Sequence, residues 1–186
     1  MALGFTDDEK INRDPNGKFP LIISASILGT MVGGCLIDEG NPVDILYPNM
    51  FECLGLKREN LRYCFGLEEI ELNGTNTRPW GCVTLDVTFG DGAGKRTVKV
   101  PFLVIPGAST YNCVFGFPTL ASLDAMAYTV HLQMKYHNDE GKIVIIHVDL
   151  GGIQRLYETV WRFRFPPLDG KAEWTTVPDR KTGAPR

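Results

Sequence analysis

The sequence has no apolar stretch approaching the roughly 18–20 residues of a membrane-spanning helix, and residues 1–10 lack the basic-then-apolar order of a secretion signal. No membrane partner is expected, and the protein reads as intracellular and cytoplasmic. Histidine is scarce: His131, His137 and His147 stand without a His-Glu-x-x-His or comparable spacing, so no metal is expected. The five cysteines, Cys35, Cys53, Cys64, Cys82 and Cys113, include no C-x-x-C pair. An odd number of scattered thiols reads as free cysteines in a reducing compartment. Basic charge is short too. Residues 1–150 hold 12 basic side chains against 18 acidic ones, a balance that excludes the usual basic surface of a nucleic-acid-binding domain. The basic residues of 151–186 are too sparse to track phosphates. Internal repeats and low-complexity tracts are also absent.

What is present is a chain of 186 residues, 44% hydrophobic, long enough for one core of ordinary size. Residues 1–18 are polar and aperiodic and read as a flexible leader. Residues 19–150 form the expected domain, and residues 151–186 read as a linker toward a downstream domain, with a possible amphipathic piece at 153–165. Within the domain, apolar runs at 19–26 and 30–38 flank Leu28-Gly29, and Asn73-Gly74 between the runs 67–72 and 80–89 is a strong hairpin signal. Val83, Leu85, Val87 and Phe89 alternate with Thr84, Asp86 and Thr88, as half-buried strand residues do; Val98, Val100, Phe102 and Val104 repeat the pattern. Further strands are expected at 111–115, 128–136 and 143–150. Pro48 and Gly55 bracket one short helix, 57–61 adds a turn, and 118–123 forms a second helix.

The glycine-rich stretch Gly90-Asp91-Gly92-Ala93-Gly94-Lys95-Arg96 does not bind phosphate by its pattern. Its glycine spacing is one residue short, Arg96 stands where Ser or Thr is needed, and no helix follows. It reads as a hairpin turn, and no cofactor is expected. Short strands, frequent turns and one or two short helices predict an all-β fold, a small closed β-barrel.

One segment carries chemistry. Cys35-Leu36-Ile37-Asp38-Glu39-Gly40-Asn41-Pro42-Val43-Asp44-Ile45-Leu46 is an apolar run that ends on a carboxylate and then turns. Asp38 is thereby held beside low-dielectric surroundings at the sheet edge, where a substrate can reach it. Three further segments follow in order: Asn73-Gly74-Thr75-Asn76-Thr77-Arg78-Pro79-Trp80-Gly81, Tyr111-Asn112-Cys113-Val114-Phe115-Gly116-Phe117-Pro118-Thr119-Leu120 and Val130-His131-Leu132-Gln133-Met134-Lys135-Tyr136-His137-Asn138. Together the four resemble the retropepsins, more narrowly the protease of plant gypsy-type LTR retrotransposons. The usual motif there is Asp-Thr-Gly-Ser-Ser-Ala-Asp-Ile-Leu. Here Glu39 stands for the Thr, Asn41-Pro42 for the Ser-Ser, and Phe117 for a usual Arg.

The resemblance implies a barrel of the retropepsin type and an aspartic endopeptidase acting on a polyprotein. It makes Asp38 the catalytic carboxylate and Glu39, Gly40 and Asn41 the rest of its loop. Asn73, Gly74 and Thr75 correspond to the flap over substrate, and Val114, Phe115 and Gly116 to the segment packed beneath the active-site loop. Such enzymes hold a water between two carboxylates that share one proton. This chain offers one in the right context, so a homodimer with Asp38 from each copy is implied. Asp44 reads as a local hydrogen-bonding residue at a turn or helix start. Glu39 cannot reproduce the compact Thr hydroxyl contacts across the dimer axis, and it adds charge there. A second function therefore stands beside the first: a decayed retrotransposon-derived domain that keeps its fold, a dimer or a peptide-binding surface without hydrolysis.

Overall fold

The computed structural model describes residues 3–6, 19–67, 70–72, 75–149 and 151. Strand β1 (Ile22–Ile27) turns at Leu28 and Gly29, whose φ angles are 51° and 79°, into β2 (Thr30–Ile37). Two left-handed residues match the twist of the flanking strands, so this is the tight connection the sequence predicts. Farther along, β6 (Gly81–Phe89) and β7 (Arg96–Val104) pair antiparallel along their whole lengths, from Gly81 opposite Val104 to Phe89 opposite Arg96. The expected alternation holds: Val83, Leu85, Val87 and Phe89 are buried while Thr84 and Asp86 are exposed.

The short strands β3 (Asp44–Leu46) and β8 (Cys113–Phe115) complete a closed barrel in the order β1-β2-β8-β3-β7-β6. Here β8 runs parallel to β2, and β3 runs parallel to β7 but antiparallel to β8. Parallel neighbours cannot be joined by a hairpin. Because β8 also lies between β2 and β3, the chain leaving β2 crosses over it in a loop before entering as β3, and that loop carries Asp38. Beneath it Phe115 is fully buried against Phe89 and Phe102, with ring centroids 5.0 and 5.9 Å away. A smaller apolar cluster of Ile45, Leu103, Ile105 and Val114 packs with Cys64, Leu67 and Tyr47.

Helix α1 (Pro48–Cys53) starts on its proline and is followed by Gly55 at φ 73°, and α2 (Phe117–Leu123) stops at left-handed Asp124. The expected turn at 57–61 is a single 3-10 turn, Arg58–Asn60. Two strand boundaries differ from expectation. The partner of β4 (Ile70–Leu72) is not the strand beginning near Trp80 but β5 (Thr75–Thr77), after which Pro79, which has no N–H, falls in a break before β6. The run 128–136 is also divided, into β9 (Met126–Tyr128) and β10 (Gln133–His137). His131 N–H bonds to Tyr128 O and Leu132 takes φ 54°, so the chain reverses without glycine or proline to mark the turn. With β11 (Ile143–His147) these form a three-stranded sheet, β11-β10-β9. Tyr136 donates its hydroxyl to Gly94 O at 2.8 Å, and Arg96 donates to Leu123 O and His137 O, fastening sheet and α2 to the barrel.

The expectation of five free thiols is corrected at one pair: Cys64 and Cys82 form a disulfide with Cα atoms 5.7 Å apart. Reciprocal backbone hydrogen bonds between Arg62 and Cys82 bring these chain segments together, a pairing that Cys spacing cannot reveal. Cys35, Cys53 and Cys113 are free. Among the described residues no helix is long and apolar enough to cross a membrane. The expectations for 153–165 and the rest of the tail lie outside the described residues, as does most of the leader; residues 3–6 of that leader are described and touch β10 through Lys135.

Candidate active site

Asp38 stands at the end of β2, where the carboxylate turns into solvent and the backbone does not move freely. Its N–H bonds to Phe115 O at 3.0 Å, its carbonyl accepts from Asn41 N–H at 3.1 Å, and its Oδ1 accepts from Gly40 N–H at 3.1 Å. Asn41 Oδ1 accepts from Val43 N–H, a local turn of the kind Asn favours. Asn41 O then accepts from Phe117 N–H at 2.9 Å. Every bond in this set fixes backbone, leaving the Asp38 side chain exposed at the rim.

Gly116 explains why the crossing is so close. A Cβ at that position would lie 2.5 Å from both Asn41 O and Val43 O, a separation no side chain tolerates. Gly40 differs: its φ is not positive, and a Cβ there would meet only Asp38 Oδ1 at 3.4 Å, an ordinary contact. The turn itself does not demand glycine at position 40. Of the other residues the sequence singled out, Phe115 and Val114 are buried directly behind the loop, one facing each apolar cluster.

Asp44 is the buried counterpart of Asp38. Only 1% of it is exposed, and its Oδ1 accepts from Gly116 N–H at 2.7 Å. Burial pushes its pKa up to about 6, partly offset by hydrogen bonds from Gly116 and Thr119. Oδ2 and the Thr119 hydroxyl are both buried without a hydrogen bond of good geometry, although Thr119 is near enough to lower that pKa. Of the local turn or helix-start bonding expected for Asp44, the helix start is found and the locality is corrected: the carboxylate reaches across the chain to the start of α2. Its identity as the one charged residue between Val43 and Ile45-Leu46 was the available signal. Nearby, burial pushes the Cys113 thiol well up, and Cys35 and the Asp44 charge add to that effect.

A cleft of 290 Å³ opens beside Asp38. The Asp38–Gly40 turn with Leu21 and Ile37 forms one side, and Ala127, Tyr128 and Thr129 line the other. Sequence reasoning missed this second wall, because β9 has no polar signature of its own. Glu39 leans toward it: its Oε1 accepts from Ala127 N–H at 3.3 Å while the residue remains exposed. Of the flap residues, Asn73 and Gly74 lie outside the described residues; Thr75 begins β5, opposite Leu72. Among the described residues no three His, Cys, Asp or Glu side chains gather as metal ligands.

A closed barrel whose interlocked loops present Asp-x-Gly beside a cleft has the retropepsin fold. No protein-family model matches the chain, and no curated protein matches it. Solved structures do. The retroviral protease-like domain of Ddi1 from Leishmania major is similar with a TM-score of 0.53 at 14% identity, covering 70% of this chain and 94% of that one. A retropepsin-like aspartic protease from Rickettsia conorii has a TM-score of 0.43 at 16% identity, over 67% of this chain and 80% of its own. EIAV protease bound to the inhibitor HBY-793 has 0.43 at 21%, over 60% and 94%. At such identities the likeness concerns the fold.

Proposed function

We propose that the protein is an aspartic endopeptidase of the retropepsin type, active as a twofold dimer with Asp38 from each chain. The observation that carries this reading is the exposed Asp38 carboxylate on a loop whose backbone is held by the Asn41-to-Asp38 turn bond and, from across the chain, by Phe115 O and Phe117 N–H. Asp38 is the carboxylate of the cleft left for chemistry on this reading, because Asp44 is buried and committed to Gly116 and Glu39, which also lines the cleft, accepts from Ala127 N–H. Two copies supply the pair. One carboxylate of the pair keeps a proton while the other does not, since like charges at such a distance resist full ionisation. The ionised member takes a proton from water as its oxygen attacks the peptide carbonyl carbon. The protonated member gives its proton to the carbonyl oxygen; collapse of the resulting diol breaks the C–N bond, and a proton passes to the leaving amine.

The substrate on this reading is an extended peptide segment, and the natural one a retrotransposon polyprotein. The resemblance to plant gypsy-type proteases supports that assignment, as does the order of the four segments. The same origin places the protein in the cell interior on this reading, whereas the Cys64–Cys82 bridge weighs against a strongly reducing site. Glu39 is the observation that favours the non-hydrolytic reading. The test is peptide cleavage by the parent and by Asp38→Asn between about pH 4 and 7. Cleavage that Asp38→Asn abolishes supports the enzyme. Cleavage that survives the substitution removes Asp38 from the site, and a folded parent dimer that cleaves nothing supports the second reading.

A further inference from the structure

The corner where β9 turns into β10 buries polar side chains that the cleft does not use. His131 is 3% exposed and Lys135 is 4% exposed, and an ammonium is seldom buried without acceptors around it. Residues 3–6 meet that need. Lys135 Nζ donates to Gly4 O at 2.7 Å and stands 4.5 Å from the centre of the Phe5 ring, within cation–π range. The same ring meets His131 edge-on at 5.4 Å and Tyr128 at 5.1 Å, and those two rings meet each other at 4.8 Å. The Phe5–His131 and Tyr128–His131 pairs are edge-to-face, which matches the ring quadrupoles, while Phe5 and Tyr128 are tilted at 46°. His131 Nδ1 is buried there without a hydrogen-bond partner.

We propose that Tyr128, His131 and Lys135 form a clasp for an extended peptide segment carrying an aromatic side chain directly after a free carbonyl, and that its occupant is the chain's own residues 3–6. The clasp reads the carbonyl and the ring. It does not read glycine, because a Cβ at Gly4 would meet nothing within 4 Å. Tyr128 also lines the Asp38 cleft, so an occupied clasp holds that wall from its far side. The clasp itself stands independently of any peptidase activity.

The test uses the full chain with nuclear magnetic resonance on the His131 ring protons. Three samples are compared: the parent, Phe5→Ala, and Phe5→Ala with an added amidated peptide of residues 1–6. A Phe5→Leu variant serves as a second control, since it keeps apolar bulk and removes the ring. The His131 resonances should move in both variants as the ring-current shift is lost, and the added peptide should restore them in Phe5→Ala. The peptide should also bind Phe5→Ala at least about tenfold more tightly than the parent, where the tethered segment competes for the same surface. Identical His131 resonances in parent and Phe5→Ala overturn the clasp, as does equal peptide binding to both. A dimer in the parent that becomes monomeric in Phe5→Ala overturns the intrachain occupant and places the segment on a second copy.

Discussion

Asp38 and Asp44 stand at the two ends of one short loop and live in opposite surroundings. Asp38 is exposed and, among the described residues, its carboxylate hydrogen-bonds to the Gly40 N–H, whereas Asp44 is sealed behind the loop with its oxygen on Gly116. The exposed end is free to do chemistry because the buried end absorbs the constraint. Asp44 also meets the first turn of α2, whose N-cap Gly116 has no side chain to satisfy that end. A carboxylate from β3 does so instead, with the favourable charge for a helix start. On the proposed reading, function and scaffold are divided between two residues of the same chemical type.

The sharpest way to break the comparison is Asp38→Asn. Any cleavage should fall by about 10²–10⁴-fold with the melting temperature unchanged, measured by peptide turnover and calorimetry. A large loss of stability would place Asp38 with the scaffold. Next in size is Gly116→Ala, which forces a methyl against two carbonyl oxygens and should cost about 3 kcal/mol in denaturant unfolding, with any activity lost alongside.

Asp44 offers a test through pH. Its folded pKa is raised from 3.8 to about 6, so between those values the folded state holds a proton that the unfolded state has released. Stability from this group is therefore fully present below the lower value and lost as pH rises through the upper one. The span should be about 1–3 kcal/mol between pH 4 and 7. Asp44→Asn keeps an acceptor for Gly116 without the buried charge, so it should flatten that part of the profile and leave the protein at least as stable at pH 7. An unchanged profile would remove Asp44 as its source.

The smallest effect belongs to Glu39. Its bond to Ala127 N–H is long and exposed, so Glu39→Thr should change monomer stability by no more than about 0.5–1 kcal/mol. Dimer dissociation and cleavage, measured at pH 5 and 7, should improve most at pH 7, where the substitution removes a charge near the proposed axis. No change at either pH would leave Glu39 outside the interface and turn attention to Pro42 and Phe117.

Much of the fold was legible because local rules decided it. Leu28-Gly29 turned where predicted, Val83 to Phe89 alternated, and Pro48 began a helix. Asn73-Gly74 marked a hairpin and β4 and β5 do pair on either side of it, but the second strand is the short β5 rather than the run from Trp80. The exceptions have a common cause. The reversal at His131-Leu132 is enforced by hydrogen bonds that local propensity does not describe, and nothing in the spacing of Cys64 and Cys82 announces their bond. At the site, Asp38 and Gly116 stood out as residues, but the wall formed by Ala127, Tyr128 and Thr129 did not. The leader shows the same limit: the sequence around Gly4 gave no sign of Lys135, which lies 131 positions away from it.

The sequence by itself determined the barrel and the candidate acid, because alternation, turn residues and an Asp-x-Gly after an apolar run are short-range signals. Only the tertiary structure decided the surroundings of each aspartate. Exposure of Asp38 and burial of Asp44 depend on β8 passing beneath the loop and presenting Gly116 to it. That placement comes from parallel pairing between distant strands, where the energy lies in packing and backbone bonds rather than in any residue's own preference.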